Sequence, residues 1–469
     1  MQRSFSTILN NTIESGVQSK NSIILNSKID RSTFFQILSG KRLPTEKQYI
    51  KLLSAISPDE TLTKELDYAY ISEKYDNGFF ETYQFILRVF SILKQHSFPP
   101  DYPSAVFKSH LDKPETFESG VALSSSEEIT RCIRHMLLTE SISLSKEKDS
   151  APAFIDIFAP TQALSDLGLY DMIKVMDINA NNNISFRHLA SFWNRNITRS
   201  DESYIGFAYF LSLITSINLN YNIYSFDSTG NDFLSGSILP YYIIFPTGVL
   251  FFNQNYSSGF YTNNENLLTF FKKEFQKIID SLTPMIVSAE KFTDFIPLLE
   301  SMPDKTKTWH TSNKPSLVYI ADEKFLRENV KDKTMCDKLV SRCNAFQHTD
   351  YKEFINEAAL NDMLSNNTLT ELDISIDVND STLKKIAAQL SERLGKSLFT
   401  INTDKIPISE NWSVYVVEDT LVLMVPLIQG KKALYITEKN IVKAFTDFFT
   451  VFEKGFLLKE PKMAPGDGG

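Results

Sequence analysis

The chain has 469 residues, of which 42% are apolar and 12% aromatic. That length predicts about two to four domains, and that composition excludes wholesale disorder. Its 48 basic and 57 acidic residues give a net charge of −9, which excludes a uniformly basic nucleic-acid coat but allows a local basic patch. Three cysteines cannot form a disulfide scaffold and suit a reducing compartment. The polar N-terminus and the lack of a bilayer-length apolar stretch predict a cytoplasmic protein with no membrane partner.

The charge is distributed unevenly along the chain. Residues 1–56 carry eight basic and three acidic side chains, a net charge of +5. The other 413 residues therefore carry 40 basic and 54 acidic side chains, a net charge of −14. A small basic segment on a larger acidic region indicates that only the N-terminal segment meets a polyanion.

Residues 4–55 show four short helical patterns, with turn-forming residues about every ten positions. The third pattern predicts a helix over residues 31–39, with Asp30 as its N-cap. In that helix Phe34, Ile37 and Leu38 lie on one stripe and predict the buried face. Thr45 is a natural N-cap for the fourth helix. The sequence therefore predicts an all-α N-terminal domain over residues 1–56.

Residues 57–96 read as a helical connector, with a long helix over 79–94 that carries an aromatic and aliphatic face. That face predicts either a dimer interface or packing against the rest of the chain. Residues 97–125 are rich in Pro, Ser and Asp and predict a linker. The last residues, 457–469, predict a disordered tail.

The region between the linker and the tail predicts mixed α/β structure, in a first lobe over 126–300 and a second over 301–456. Residues 154–158 and 317–320 are strand-like runs, and 372–378 alternates strictly before a helical pattern over 381–394. Residues 241–275 and 415–449 superpose without a gap at an offset of 174. Each contains a strand hairpin, a short strand and a Phe-rich helix. This similarity predicts a duplicated lobe; the alternative is that any strand–helix unit with an aromatic core looks alike.

One motif in the N-terminal domain carries a resemblance to a known family. Its most specific part is Asp30-Arg31-Ser32-Thr33-Phe34, followed by Gly40-Lys41-Arg42-x-Pro44-Thr45. This segment resembles the helix-turn-helix of the Cro and lambda-repressor type, and the whole chain resembles bacterial one-component transcription regulators. The resemblance implies that the helix from Arg31 enters the major groove of double-stranded DNA. It also implies a homodimer on a near-palindromic site, with an unknown small molecule or protein as effector.

The predicted helix leaves five side chains on the face opposite its buried stripe. They are Arg31, Ser32, Phe35, Gln36 and Ser39. Arg31 can fork onto guanine and Gln36 onto adenine, each worth about 1–3 kcal/mol of discrimination, and Phe35 can touch a thymine methyl group. Lys41 and Arg42 after the helix, and Lys20 at the start of the preceding helix, are predicted to contact phosphates.

Two residues depart from the family pattern. Ile24 stands where a small Ala is usual between the two helices, and we expect it to push them slightly apart. Lys28 stands in the turn where Gly is usual, and it carries a conformational cost if that turn needs a positive φ.

The sequence therefore predicts a sequence-specific DNA-binding regulator whose C-terminal region senses an effector or oligomerises. One alternative is an interaction scaffold whose helix-turn-helix binds a protein. Another is an enzyme in the α/β region, around Asp156, Asp171 or His188. No spacing of nucleophiles, acids or metal ligands requires a catalytic site or a cofactor, so we predict neither.

Overall fold

The computed structural model describes most of the chain. The described residues are 4–94, 120–145, 153–160, 184–190, 207–215, 220–225, 238–289, 306–313, 322–361, 368–401, 411–427 and 433–453, apart from single positions and pairs within them, with isolated residues elsewhere. The chain is multidomain, with helices at the N-terminus followed by a large mixed sheet.

Five helices form the N-terminal head. They are α1 (Phe5–Ser15), α2 (Lys20–Ser27), α3 (Arg31–Leu38), α4 (Glu46–Ile56) and α5 (Glu60–Tyr75). Tyr49 of α4 stacks on Tyr70 of α5 with ring centroids 4.1 Å apart, and Phe5 of α1 meets both rings edge-on. The Phe5 N–H also donates to Glu73. Because these aromatic rings fill one core, the packing of the head continues past residue 56 to the end of α5.

Helix α6 (Asn77–Lys94) connects the head to the sheet, and α12 (Lys439–Val451) is the helix that it meets. Tyr83 and Phe90 of α6 contact Phe448, and Phe85 contacts Phe445. The aromatic face of α6 is therefore buried within its own chain. Of the two roles that the sequence left open for this face, the structure shows the packing role.

In the described part of the chain, fourteen strands form one continuous sheet. They are β1 (Val121–Leu123), β2 (Ala153–Phe158), β3 (Ile184–Ala190), β4 (Asn220–Ser225), β5 (Tyr241–Ile244), β6 (Val249–Phe252), β7 (Gly259–Thr262), β8 (Pro284–Ala289), β9 (Lys307–Ser312), β10 (Asp350–Asn356), β13 (Leu398–Ile401), β14 (Trp412–Val417), β15 (Leu421–Pro426) and β16 (Ala433–Ile436). The remaining strands, β11 (Thr368–Glu371) and β12 (Ile374–Asp377), pair separately as an antiparallel hairpin.

The sheet consists of two halves in which the strands follow the same order. The first half runs β1-β7-β6-β5-β2-β3-β4, and the second runs β8-β16-β15-β14-β9-β10-β13. Each half has three parallel strands, followed in the chain by three antiparallel ones. Strand β8 opens the second half and pairs with β4 of the first, which joins the two halves.

Five further helices with described bounds pack with the sheet. They are α7 (Ser126–Ser145), α8 (Glu265–Asp280), α9 (Glu323–Asn329), α10 (Lys333–Gln347) and α11 (Asp380–Arg393). Helices α8 and α12 both follow the third antiparallel strand of their half. Helices α9, α10 and α11 form a separate apolar cluster with Ile355 and Leu398 of the second half.

Several sequence predictions can be compared directly with this fold. The predicted linker over 97–125 is wrong at its end, because Val121–Leu123 pairs with β7 as a strand. The alternating run over 372–378 contains the strand β12, which pairs with β11. The predicted strand over 317–320 and the tail over 457–469 lie outside the described residues.

The described helices were also compared with the thickness of a bilayer. None of them combines the length and the apolar character that crossing a membrane requires.

Candidate nucleic-acid interface

The position of α3 is fixed by its N-cap and by its buried stripe. The carboxylate of Asp30 accepts a hydrogen bond from the Thr33 N–H at 2.8 Å. Hydrogen bonds from Thr33 to this carboxylate lower the pKa of Asp30, so Asp30 is ionised at neutral pH. Phe34 and Ile37 point into the core of the head with no exposed surface. The predicted cap and the predicted buried face are both confirmed.

The opposite face of α3 is open to solvent. Arg31, Ser32, Phe35, Gln36 and Ser39 are all exposed, as the sequence predicted. The Arg31 guanidinium lies 5.8 Å from the centroid of the Phe35 ring, which is 42% exposed. The acidic sheet region therefore leaves this face uncovered, and a row of polar and apolar groups projects from one side of a short helix.

The chain leaves α3 through a turn that places two cations beside it. Gly40 has a φ of 70°, a backbone conformation that residues other than Gly rarely adopt. The N–H groups of Lys41 and Arg42 then donate to the Gln36 carbonyl at 3.0 and 3.3 Å. Both side chains are exposed, so two positive charges lie next to the exposed face of α3.

Helix α2 precedes α3 and carries the remaining predicted cation. The Ser19 hydroxyl caps α2 by accepting from the Ser22 N–H at 3.2 Å. Lys20 is half-buried, and its ammonium group lies 3.8 Å from the Glu14 carboxylate. The two side chains are 40% and 65% exposed, and an ion pair that reaches solvent in this way contributes little, about 0–1 kcal/mol.

The two departures from the family pattern are both visible between α2 and α3. Lys28 has a φ of 54° and a ψ of 29°, so the turn does need a left-handed residue, and a lysine supplies it. Ile24 is half-buried and packs against the core of the head. Ile29, directly after the turn, is 4% exposed and anchors the junction. The helices thus keep a common core despite the larger side chain at position 24.

A second polar constellation lies in the second half of the sheet, and sequence reasoning missed it. The Ser413 hydroxyl lies 2.5 Å from Nε2 of His310, and Nδ1 of His310 lies 3.1 Å from the Glu353 carboxylate. The Ser316 N–H donates to the same carboxylate at 2.7 Å. The three side chains come from β14, β9 and β10, which are adjacent. Glu353 and Ser413 lie 43 and 103 residues from His310 in the sequence, so no local spacing could reveal the group.

The order serine, histidine, carboxylate is that of a nucleophilic triad, but its setting differs from that of an active site. Ser413, His310 and Glu353 are each at most 2% exposed. The His310 ring also stacks on Tyr415, with centroids 4.1 Å apart. Because the hydroxyl lies within the core, the arrangement satisfies buried polar groups and fixes three strands relative to one another.

The residues proposed for an enzyme site in the first half are also engaged in the core. Asp156 forms a two-pronged ion pair with Arg187, at 2.7 and 2.8 Å. His188 is fully buried between the Tyr221 hydroxyl and the Ala159 carbonyl. Asp171 lies outside the described residues. Within the part of the chain that the structure describes, no three His, Cys, Asp or Glu side chains are arranged to hold a metal ion.

Comparisons with known proteins assign no family to the chain. No family model matches the chain, and no curated protein matches it. Among solved structures, TrmBL2, an archaeal chromatin protein with a novel mode of DNA binding, matches with 11% identity and a TM-score of 0.23, over 60% of this chain and 93% of that chain. Polyphosphate kinase from Porphyromonas gingivalis matches with 9% identity and a TM-score of 0.22, over 72% of this chain and 51% of that chain.

Proposed function

We propose that the chain is a sequence-specific DNA-binding regulator whose reading element is α3. The observation that carries this proposal is the exposed face of α3, on which Arg31 and Gln36 stand free of the head core. Both side chains fork, and both match base edges in the major groove. Phe35 between them offers an apolar contact for a thymine methyl group.

The charges around α3 support binding to a phosphate backbone. Lys41 and Arg42 lie beside the exposed face, and Lys20 starts the preceding helix. Contacts of this kind set the register of a protein on DNA without reading its sequence. Residues 1–56, which include α1 to α4, carry a net charge of +5 and concentrate this attraction near α3. Residues 57–75 add five acidic and two basic side chains, so the whole head has a net charge of +2, and the acidic remainder of the chain disfavours contact elsewhere.

A single helix of this size reads about one half-site, so we propose a homodimer on a near-palindromic site. In such a dimer the sheet region sets the distance between the two heads. An effector would regulate the protein if its affinity differed between two states with different head distances. We infer from the shared strand order that this region arose by duplication.

The test begins with selection of bound sequences from random duplex DNA at two salt concentrations. Affinity for the selected half-site is then measured by fluorescence anisotropy for the wild type and for Arg31→Ala combined with Gln36→Ala. Each base contact is worth about 1–3 kcal/mol, so the double variant is expected to bind at least about 30-fold more weakly. Lys385→Ala with Gln389→Ala, two exposed residues on α11, is the matched control and should bind like the wild type.

A second variant separates base reading from backbone contact. Lys41→Ala with Arg42→Ala should weaken binding to all sequences equally and reduce the slope of log affinity against log salt by about 2. If the Arg31 and Gln36 double variant binds the half-site as the wild type does, with an unchanged salt slope, the base-reading roles assigned to α3 are wrong.

The exposed apolar groups of the head favour one alternative. Leu25 of α2 is 75% exposed and Phe35 of α3 is 42% exposed, and such side chains also suit a protein partner. An interaction scaffold of this kind would show no retention of DNA even at low salt. Binding of duplex DNA by the wild type therefore decides between the two functions.

A further inference from the structure

Two side chains on the exposed face of α3 contact each other. The Arg31 guanidinium lies 5.8 Å from the centroid of the Phe35 ring, and both side chains are exposed. The two residues are four positions apart, so they lie above one another on the helix, where side chains lean toward the N-terminus. Phe35 therefore leans toward Arg31, and the two form a cation–π pair.

The surroundings of this pair support it and leave its outer side open. Arg31 is the first residue of α3, directly after the N-cap Asp30, whose carboxylate is engaged by the Thr33 N–H. The Phe35 ring meets the buried ring of Phe34 edge-on, with centroids 5.7 Å apart. Within the part of the chain that the structure describes, no carboxylate forms an ion pair with Arg31. The hydrogen-bonding edge of its guanidinium is therefore available to a ligand.

The distance between the two groups determines what they can read together. Adjacent base pairs are about 3.4 Å apart along duplex DNA. The separation of 5.8 Å is less than two such steps, so the pair meets neighbouring base pairs. In the major groove guanine presents the acceptors N7 and O6 to a forked arginine, and thymine presents an apolar methyl group at C5. A cation beside an aromatic ring thus matches a guanine beside a methyl group.

We propose that Arg31 and Phe35 read one dinucleotide step, in which guanine lies next to a pyrimidine with a C5 methyl group on the same strand. This inference rests on the proposed function, because it requires α3 to lie in the major groove. Arg31 donates to N7 and O6 of guanine, and the exposed part of the Phe35 ring covers the methyl group.

The proposal makes the protein sensitive to DNA methylation. The base 5-methylcytosine carries the same C5 methyl group as thymine, whereas cytosine and uracil lack it. The Arg31–Phe35 pair therefore reads a methylated cytosine as it reads thymine. Where a site has cytosine next to the guanine, binding depends on methylation of that cytosine.

Gln36 belongs to a different row of the same helix face. It lies four residues after Ser32, beside the row of Arg31 and Phe35, and is exposed. Its predicted contact with adenine is independent of the methyl group. Gln36 therefore provides a control within the same interface, because its removal weakens binding without changing the methyl preference.

The first experiment changes the DNA. The selected half-site should carry thymine next to the guanine whose preference Arg31→Ala removes. That thymine is replaced by uracil, cytosine or 5-methylcytosine, each with its own pairing base, and fluorescence anisotropy measures the affinity of the full-length chain. Burial of one methyl group predicts about fourfold tighter binding of thymine than of uracil, and of 5-methylcytosine than of cytosine. Equal binding within each of these two comparisons overturns the proposal.

The second experiment assigns the methyl preference to Phe35. Phe35→Ala should bind the thymine and uracil duplexes equally, whereas Gln36→Ala should bind both more weakly and keep the ratio of about fourfold. Ile50→Ala is the matched control, because Ile50 is an exposed apolar residue of the head on α4, and it should change neither affinity. Circular dichroism checks that each variant is folded. A Phe35→Ala variant that keeps the full methyl preference refutes the role of the ring.

A third measurement tests whether the two side chains act as one unit. Phe35→Leu keeps an apolar side chain and should keep the preference for thymine over uracil. It removes the ring that holds the guanidinium, so the preference of Arg31 for guanine should fall about threefold, the value of an exposed cation–π contact. An unchanged guanine preference would show that Arg31 and Phe35 read their bases independently, against the proposal.

The outcomes separate this proposal from the one on which it rests. A wild type that binds no duplex DNA at low salt refutes the DNA-binding function and the methyl reading together. Binding that depends on Arg31 and Gln36 but ignores the methyl group refutes only the Arg31–Phe35 unit.

Discussion

The two halves of the sheet share one plan, but they differ in chemistry along the same row of paired residues. In the first half the row is Tyr261, Leu250, Ile243, Ile157, His188 and Ile223. In the second half it is Tyr435, Leu423, Tyr415, His310, Glu353 and Leu398. A histidine stands in each row, on β3 in one half and on β9 in the other. The first is held by neutral groups and the second by a carboxylate.

This comparison shows that two halves with the same strand order can have different interiors. His188 donates through Nε2 to the Ala159 carbonyl and accepts from the Tyr221 hydroxyl, which suits a neutral imidazole. His310 donates through Nδ1 to Glu353 and meets Ser413 through Nε2. The helices differ as well, because α12 is covered by α6 while α8 faces solvent.

The largest expected difference concerns the two Phe residues at corresponding positions of α12 and α8. Phe445→Ala should lower the free energy of unfolding by about 3–5 kcal/mol, because Phe445 has no exposed surface and its removal leaves a cavity. Phe271→Ala should cost about 1–2 kcal/mol, because Phe271 is half-buried and its site is open at one side. Urea denaturation of both variants measures the difference. Equal losses would show that the two faces are equally packed.

The next largest effect concerns the pH dependence of stability through His188. Burial lowers the pKa of His188 to about 4, below the value of 6.5 in the unfolded chain. The unfolded state therefore binds the proton more tightly, and the stability from this group is complete above pH 6.5 and lost as the pH falls to 4. The full loss is about 3 kcal/mol.

Denaturant unfolding at several pH values between 7 and 4 tests this expectation. His188→Gln should be less stable than the wild type at pH 7, and the difference should shrink toward pH 4, because glutamine does not titrate. If the two stability curves run parallel over this interval, His188 does not carry the predicted acid sensitivity.

The smallest of the three effects concerns the hydroxyl beside His310. Ser413→Ala removes the group nearest Nε2 and leaves a buried ring nitrogen unsatisfied, which costs about 1–3 kcal/mol. Ser413→Thr retains a hydroxyl and serves as the comparison, with a smaller loss expected. Thermal unfolding measures both. A Ser413→Ala variant as stable as the wild type would mean that this hydrogen bond contributes nothing to joining β9 and β14.

Local patterns in the sequence were sufficient for the head. The cap at Asp30, the buried stripe of Phe34 and Ile37, and the exposed Arg31 and Gln36 all follow from a period of 3.6 residues and from capping chemistry. These features depend only on neighbours within one or two helical turns, which a single sequence displays.

Contacts between distant strands could be predicted only in part. The offset of 174 residues holds for the third strand and the helix of each half, because Tyr261 and Tyr435 occupy the same place. The offset fails in the first strand of each hairpin, β5 and β14. There the ungapped alignment matches Tyr415 with Tyr241, whereas Tyr415 occupies the position of Ile243 in the sheet. The hairpins differ in loop length, so an ungapped comparison slips there. The grouping of Ser413, His310 and Glu353 depends on strand register and could not be read from spacing.

The pairing of β4 with β8 has a mechanical consequence for the proposed regulation. The head is attached to the second half of the sheet through α6, which packs on α12. The two halves cannot separate by a hinge motion without breaking the backbone hydrogen bonds between β8 and β4. If the protein is regulated as proposed, we expect a change at the far end of one half to reach the head as a twist or tilt of the whole sheet.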